Sequence, residues 1–360
     1  MINHSKLFDY ARNFYTDLSY NHKYGKALIP LRYFFELTYR CNLNCPYCYI
    51  GNERKKHELT KEEWFDVIDQ LPFYSIVTLV GGEPLLRKDF PEILNHLSKK
   101  IWNKTHVVSN GILITDDIIK EFVRSNLMLL SVSLDGYGSV HDKNRGKDGI
   151  FDKIINNLEQ YNKEKKRSMI DIKTIVLEDN LDSLPKLYKL CTDMNFNFFS
   201  ISFLRNNNLK QNAVLSEGFN PDFTKDYPIE PYFNMEHFKE IYKELESLSK
   251  NSQVKIRFSP KFEYANKPLE TIESFFNIDK ETKVSDIYKP CKYPYTNMMI
   301  NPAGDIYPCL SMKIGNVKEN SIKELFNKPA YCCFRKNLKA SGGTFGACQM
   351  CCELEVKEKL

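Results

Sequence analysis

Long apolar runs are missing from this 360-residue chain. No stretch approaches the roughly 18 consecutive apolar residues of a membrane-spanning helix, so no membrane partner is expected. A secretory signal pattern is missing too. Near the N-terminus Leu7, Phe8, Ala11, Phe14, Tyr15 and Leu18 recur at helical spacing, but Asp9, Arg12 and Asp17 interrupt them, which reads as a packed helix. Charge of one sign is scarce: the formal balance is +5, with no compact Lys/Arg stripe, so nucleic acid is not expected as a partner. The densest basic run is Lys163, Lys165, Lys166 and Arg167, broken only by Glu164. It reads as a solvated loop between a helix and a strand. Low-complexity segments and short repeats are also lacking, which excludes a solenoid. With 42% hydrophobic and 27% charged residues, the composition is that of a packed globular protein, and a cytoplasmic location is expected.

What the chain has in plenty is aromatic and sulfur-bearing side chains: 24 Phe, 21 Tyr and 11 Cys. Thiols stay reduced in the cytosol, so a disulfide framework is a poor account of the cysteines, and metal binding is the usual alternative. Strand and helix patterns alternate. Strands are expected at 33–38, 76–80, 105–109, 129–134, 170–177 and 196–203. The intervening helices are expected at 60–71, 90–99, 116–124, 151–161 and 184–191, the first opened by a capping box of Thr60 and Glu63. Six such units in order predict parallel strands with right-handed crossovers, a partial (β/α)6 barrel in an α/β fold. Five of the strands run into polar or glycine-containing loops, and in such folds the carboxyl ends of the strands share one ligand-binding face.

Three thiols follow the first strand: Cys41, Cys45 and Cys48, spaced Cys-x3-Cys-x2-Cys. They suit three corners of an iron–sulfur cube. Structural zinc, the main rival, wants four ligands, and a fourth is missing locally. The run Cys41-Asn42-Leu43-Asn44-Cys45-Pro46-Tyr47-Cys48-Tyr49 resembles the signature of radical S-adenosylmethionine (SAM) enzymes. The resemblance implies a [4Fe–4S] cluster whose open iron chelates SAM, and reductive cleavage of SAM to a 5′-deoxyadenosyl radical. An external one-electron reductant such as flavodoxin or ferredoxin would supply the electron. Gly82-Glu83-Pro84 resembles the family motif that receives the methionyl ammonium. By the same resemblance Tyr47, Ser109, Ser133, Asp135 and Arg145 belong to the SAM site. It covers residues 33–205 best.

Cys291, Cys309, Cys348 and Cys351 resemble the SPASM or twitch extension of the family, which implies one auxiliary [4Fe–4S] cluster. A β-hairpin around 297–307 would bring Cys291 and Cys309 together. Cys352 is an alternative to Cys351, and four thiolates suit zinc equally well. The chain runs only eight residues beyond Cys352, so a second auxiliary cluster is not expected. Cys332, Cys333 and Cys191 read as packing residues. The expected layout is an N-terminal helical segment (1–32), the barrel (33–205), a variable substrate-side segment (206–285) and the auxiliary iron–sulfur domain (286–360). Two substrate classes stay open. One is a peptide or protein, as for SPASM maturases, although about 32 residues before the first strand are few for a leader-binding domain. The other is a small molecule such as a sugar or aminoglycoside precursor. Phe219, Phe223, Tyr227 and Tyr232 are candidates for shaping the pocket. No motif identifies a catalytic base. A non-catalytic iron–sulfur or zinc module is the reading from another class, and five converging polar loops argue against it.

Overall fold

The computed structural model describes residues 4–48, 57–101, 104–204, 230–263, 265–279, 282–309 and 312–357. Phe219, Phe223 and Tyr227 fall outside them. Among the described residues no helix is long and apolar enough to cross a membrane.

Seven strands run parallel in chain order: β1 (Arg32–Glu36), β2 (Ile76–Val80), β3 (Thr105–Ser109), β4 (Leu129–Ser133), β5 (Met169–Val176), β6 (Phe198–Phe203) and β7 (Lys255–Ser259). The helix α1 (His4–Tyr20) precedes them. The crossovers carry α2 (Lys61–Asp69), α3 (Phe90–Lys100), α4 (Asp116–Arg124), α5 (Ser139–Arg145), α6 (Ile150–Glu164), α7 (Leu184–Asp193) and α8 (Met235–Ser249). Each strand alternates its faces. On β1, Tyr33 and Phe35 are fully buried on the helix side, where Phe35 lies 5.1 Å from the ring of the buried Trp64 on α2. Burying such side chains stabilises the fold by about 1.5–3 kcal/mol each. Arg32, Phe34 and Glu36 face the inside of the curled sheet. Helix α2 starts as its sequence dictates: Glu63 N–H donates to the Thr60 hydroxyl, and the Glu63 carboxylate accepts from Thr60 N–H. The basic run at 163–167 joins α6 to β5.

The C-terminal region continues the same sheet. Strand β8 (Asn297–Ile300) lies parallel to β1, with Arg32 opposite Asn297 and Phe35 opposite Ile300. It forms the expected antiparallel hairpin with β9 (Asp305–Tyr307), and β10 (Gly315–Asn316) closes the edge. The full order is β10-β9-β8-β1-β2-β3-β4-β5-β6-β7. Helices α9 (Pro268–Phe276), α10 (Val284–Ile287), α11 (Tyr293–Thr296), α12 (Ile322–Phe326) and α13 (Pro329–Ala340) complete the described chain. Tyr288 bridges to Val356, and Lys261 to Glu355, tying the C-terminal tail to the end of β7.

Two expectations change. Helix α1 exists, but Tyr10, Phe14 and Leu18 stay exposed; it docks instead through the buried Ser19 and through the Tyr15 hydroxyl, which donates to the Ile29 carbonyl at 2.5 Å. Cys333 is exposed, so packing does not explain it. Cys332 is half-buried and donates to the Asn327 carbonyl, and Cys191 is fully buried in the core.

Candidate active site

Backbone contacts set the start of the cysteine loop. Beyond β1 the chain runs against the glycine turn that ends β2: Gly82 N–H donates to the Thr38 carbonyl at 2.8 Å, and Glu83 N–H to the Arg40 carbonyl at 2.9 Å. This close approach explains the glycines. A Cβ on Gly82 would sit 2.2 Å from the Arg40 oxygen, and one on Gly81, at φ +148°, 2.6 Å from the Thr38 oxygen. The demand comes from the neighbouring backbone. The Glu83 carboxylate is fully buried. It accepts from Ser109 Oγ at 2.9 Å, Asn110 N–H at 2.7 Å and Leu85 N–H at 3.1 Å. Burial raises its pKa to about 7 against the opposing pull of those donors. Asn110 donates onward to the Asn42 side chain at 2.7 Å, inside the cysteine loop. Ser109 and Glu83 are thus partners, and Ser109 Oγ also accepts from Gly111 N–H.

The three thiols are half-buried and share one loop. Cys48 N–H donates to the Cys45 carbonyl at 3.1 Å, closing a tight turn across Pro46 and Tyr47. Burial raises the Cys41 thiol, and the neighbouring Glu83, Cys48 and Cys45 push it the same way. Burial also raises Cys45, and Arg145 offsets part of that. Nη1 of Arg145 lies 3.6 Å from Cys45 Sγ. A cation beside a partly accessible thiol is the setting that favours a thiolate ligand.

Arg145 ends α5, and its side chain is only 12% exposed. Its Nη2 pairs with Asp135 at 2.5 Å. Asp135 follows β4, is fully buried, and also accepts from the Tyr47 hydroxyl at 2.5 Å and from Ile175 N–H at 2.8 Å. Asp135 N–H in turn donates to Nδ1 of the buried His141 at 3.0 Å. One buried ion pair therefore joins the ends of β4 and β5, helix α5 and the cysteine loop. Ser133 sits at the end of β4 and is partly accessible.

The second group of thiols lies behind the hairpin. Cys291 N–H donates to the Gly343 carbonyl at 2.9 Å. Burial pushes its thiol well up, and the Cys348 and Cys309 thiols add to that shift. Cys291, Cys309 and Cys348 pack against an apolar cluster of Phe334, Leu338, Phe345 and Ala347. Phe345 N–H donates to Cys348 Sγ at 3.4 Å, the kind of contact that tunes cluster potentials. Cys351 N–H closes a turn onto the Cys348 carbonyl at 3.1 Å, as in the first loop. Cys351 is half-buried and Cys352 exposed. The thiols of Cys41, Cys45 and Cys48 bear on one another, as do those of Cys291, Cys309 and Cys348, and both groups are partly accessible and walled by apolar or cationic side chains, as iron–sulfur clusters require.

A parallel partial barrel with one thiol loop at its mouth and a second thiol group behind a hairpin is the plan of an iron–sulfur protein of β/α-barrel type. Comparison with known proteins narrows that class. Residues 35–191 match the radical SAM superfamily, and residues 291–352 match the SPASM iron–sulfur cluster-binding domain. The chain thus carries a radical SAM domain followed by a SPASM domain. The sporulation killing factor maturation protein SkfB of Bacillus subtilis is 28% identical over 46% of this chain and 41% of its own length. The chain spans about two fifths of the length of the first curated relatives it matches. The AdoMet-dependent heme synthase of Methanosarcina barkeri is 25% identical over 88% of this chain and 87% of its own. The fold is similar to that of Streptococcus suis SuiB bound to its precursor peptide SuiA. There the TM-score is 0.64 at 18% identity, over 98% of this chain and 77% of SuiB.

The inner face of the barrel holds polar side chains that the sequence reading missed, among them His106, Ser131, Asp171 and Ser200. Their signal is present in the sequence, as isolated polar residues at alternate positions of otherwise apolar strands.

Proposed function

We propose that this chain is a radical SAM enzyme acting on a peptide or protein side chain by hydrogen-atom abstraction. Cys41, Cys45 and Cys48 hold the SAM-binding [4Fe–4S] cluster, and Cys291, Cys309, Cys348 and Cys351 hold the auxiliary one. When bound and reduced, the first cluster would supply the electron for reductive cleavage of SAM to a 5′-deoxyadenosyl radical. The observation that carries the reading is the Cys41–Cys48 loop at the carboxyl end of β1, with Arg145 at 3.6 Å from Cys45 Sγ. In this reading Arg145 offsets thiolate charge, while Asp135 and Tyr47 fix its guanidinium and the loop together. Glu83 and Ser109 serve by shaping the loop through Asn110 and Asn42, with Gly82 as the backbone contact. Ser133 stands at the inner mouth as a hydroxyl available to SAM. Substrate enters the barrel interior below the cysteine loop, where water is excluded from the reacting atoms. A cytoplasmic one-electron donor such as flavodoxin or ferredoxin reduces the cluster.

The peptide substrate is supported by the relative SkfB, a maturation protein, and by the fold shared with peptide-bound SuiB. The near full-length alignment with a heme synthase favours a second reading, a small carboxylated tetrapyrrole. The test is anaerobic: reconstituted protein with roughly eight irons per chain, for two cubanes, is given SAM and dithionite. The expected product is 5′-deoxyadenosine. Its absence from fully loaded protein, with and without peptide or tetrapyrrole candidates, would overturn the reading.

A further inference from the structure

Asp and Glu are absent from two stretches of the chain, 18–35 and 325–352. The first holds Lys23, Lys26 and Arg32, the second Lys328, Arg335, Lys336 and Lys339. The fold packs the two stretches together. A Cβ on Gly25 would lie 2.4 Å from the Cys332 carbonyl oxygen and 3.0 Å from Cγ of Lys336, so residues 23–26 rest directly on helix α13. The buried Arg335 fastens this contact by donating from Nη1 to the Gly25 carbonyl at 3.2 Å. Lys339 Nζ donates to the Tyr20 carbonyl, also at 3.2 Å.

The cations of this face point outwards. Lys23, Lys26, Lys336 and Lys339 are exposed, and so is Tyr24 among them. Lys339 Nζ stands 4.4 Å from the centroid of the Tyr20 ring, and Lys292 Nζ 5.6 Å from the same ring. Lys336 Nζ lies 5.9 Å from the Tyr24 ring. Asp17, at the border of the face, is held by Lys292 at 2.6 Å. Among the described residues Lys23, Lys26, Lys336 and Lys339 meet no carboxylate. Exposed ammoniums of this kind steer a negatively charged partner to its place.

The opposite side of α13 meets the second thiol group. Its Phe334 and Leu338 are buried with Phe345 and Ala347 in the apolar cluster against which Cys291, Cys309 and Cys348 pack. The basic face and the thiols therefore stand about one helix diameter apart, roughly 10–12 Å. Lys292 directly follows Cys291 in the chain. Beneath Lys292 and Lys339, the Tyr20 ring lies 4.9 Å from that of the buried Tyr295, four residues after Cys291. A charged docking face with a redox-active group one helix behind it is suited to electron transfer.

We infer that residues 23–26 and the outer side of α13 form the docking surface of an acidic one-electron carrier protein that serves the auxiliary cluster. The inference rests on the reading of Cys291, Cys309, Cys348 and Cys351 as ligands of that cluster. One electron leaves the reduced carrier and enters the cluster. The carrier is oxidised by one electron, the cluster is reduced by one, and no atom moves.

The test uses flavodoxin as the probe. Iron-loaded protein without SAM is mixed anaerobically with oxidised flavodoxin and treated with a carbodiimide, which joins a carboxylate to a lysine in contact with it. Peptide mapping should find links at Lys23, Lys26, Lys336 or Lys339, and none at Lys153 and Lys243, which are exposed on α6 and α8. Lys23→Glu/Lys336→Glu should weaken flavodoxin binding about tenfold at low salt, and Lys153→Glu/Lys243→Glu should leave it unchanged. Absence of links, links spread equally over Lys153 and Lys243, or tighter binding of a short DNA duplex than of flavodoxin overturns the surface. The electron step is read in a Cys41→Ala/Cys45→Ala/Cys48→Ala variant holding about four irons. There flavodoxin hydroquinone should give its semiquinone about tenfold more slowly once Lys23→Glu and Lys336→Glu are added; an unchanged rate overturns the redox role. The cross-linking result stands whether or not that variant loads iron. None of these readouts needs SAM, and 5′-deoxyadenosine formation with dithionite needs no carrier, so the enzymatic reading is tested separately.

Discussion

Replacing Asp135 by Asn measures how strongly the ion pair under the cysteine loop holds it. Asparagine fills the same space and keeps one oxygen for Ile175 N–H. Its NH2 group then faces Arg145, donor against donor, where the carboxylate oxygen stood 2.5 Å away. Breaking one side of a buried pair costs about 3–5 kcal/mol. The 12% exposure of Arg145 and its contact with Cys45 place this case at the low end, about 3 kcal/mol. With a urea m-value of about 3 kcal/mol/M, the midpoint should fall by about 1 M. The assay is urea unfolding of metal-free, thiol-reduced protein, so that iron loss does not enter. The double variant Asp135→Asn/Arg145→Met also removes the stranded cation and should recover most of the loss. The coupling in the cycle should be about 2 kcal/mol or more. A single-variant cost below about 1 kcal/mol, or an additive cycle, would refute the reasoning.

Gly82→Ala places a Cβ 2.2 Å from the Arg40 oxygen and should displace the cysteine loop; iron bound by the first site should fall sharply, and a variant that retains it would show that the turn yields. Burial raises the Glu83 pKa from its ordinary 4.5 to about 7, so the fold binds its proton more tightly than the unfolded chain does. Its contribution is greatest below pH 4.5 and is lost as pH rises to 7, by at most about 3 kcal/mol; subtracting the stability profile of Glu83→Gln isolates this slope, and a flat difference would argue against it. Cys351→Ser should remove about four irons per chain and Cys352→Ser none, because Cys351 is packed and Cys352 exposed; iron and sulfide analysis decides, and the reverse pattern would move the ligand to Cys352.

Much of the barrel was legible because its cues are local. The strand expected at 105–109 is Thr105–Ser109, and the helix at 116–124 is Asp116–Arg124. Both have apolar periods bounded by polar turns. Helix α5 was not seen as a helix: the buried members of its seven residues are His141 and Asn144, so it shows no apolar stripe. Pairing of β8 with β1 escaped notice for another reason. Nothing within Asn297–Ile300 specifies which sheet edge it joins, since that is decided by packing hundreds of residues away. The cysteines were conspicuous by spacing. The Asp135–Arg145 contact needed the fold, because the two residues meet around a turn whose shape their own sequence does not state. The exposed stripe on α1 shows the limit of periodicity, which identifies an apolar face without saying what covers it.

The position of β8 also bears on how the chain is made. Strand β1, Arg32–Glu36 with three aromatic residues between its charged ends, is synthesised about 265 residues before its outer neighbour at residues 297–300. At about 5–20 residues per second, roughly 13–53 s separate the two on the ribosome. Throughout that interval the nascent barrel has an unpaired, hydrophobic β edge of the kind that recruits other chains. The cysteine loop hangs from the same strand. The strand that carries the loop is fully paired only once residues 297–300 have emerged, which couples delivery of the first cluster to synthesis of the auxiliary-cluster region.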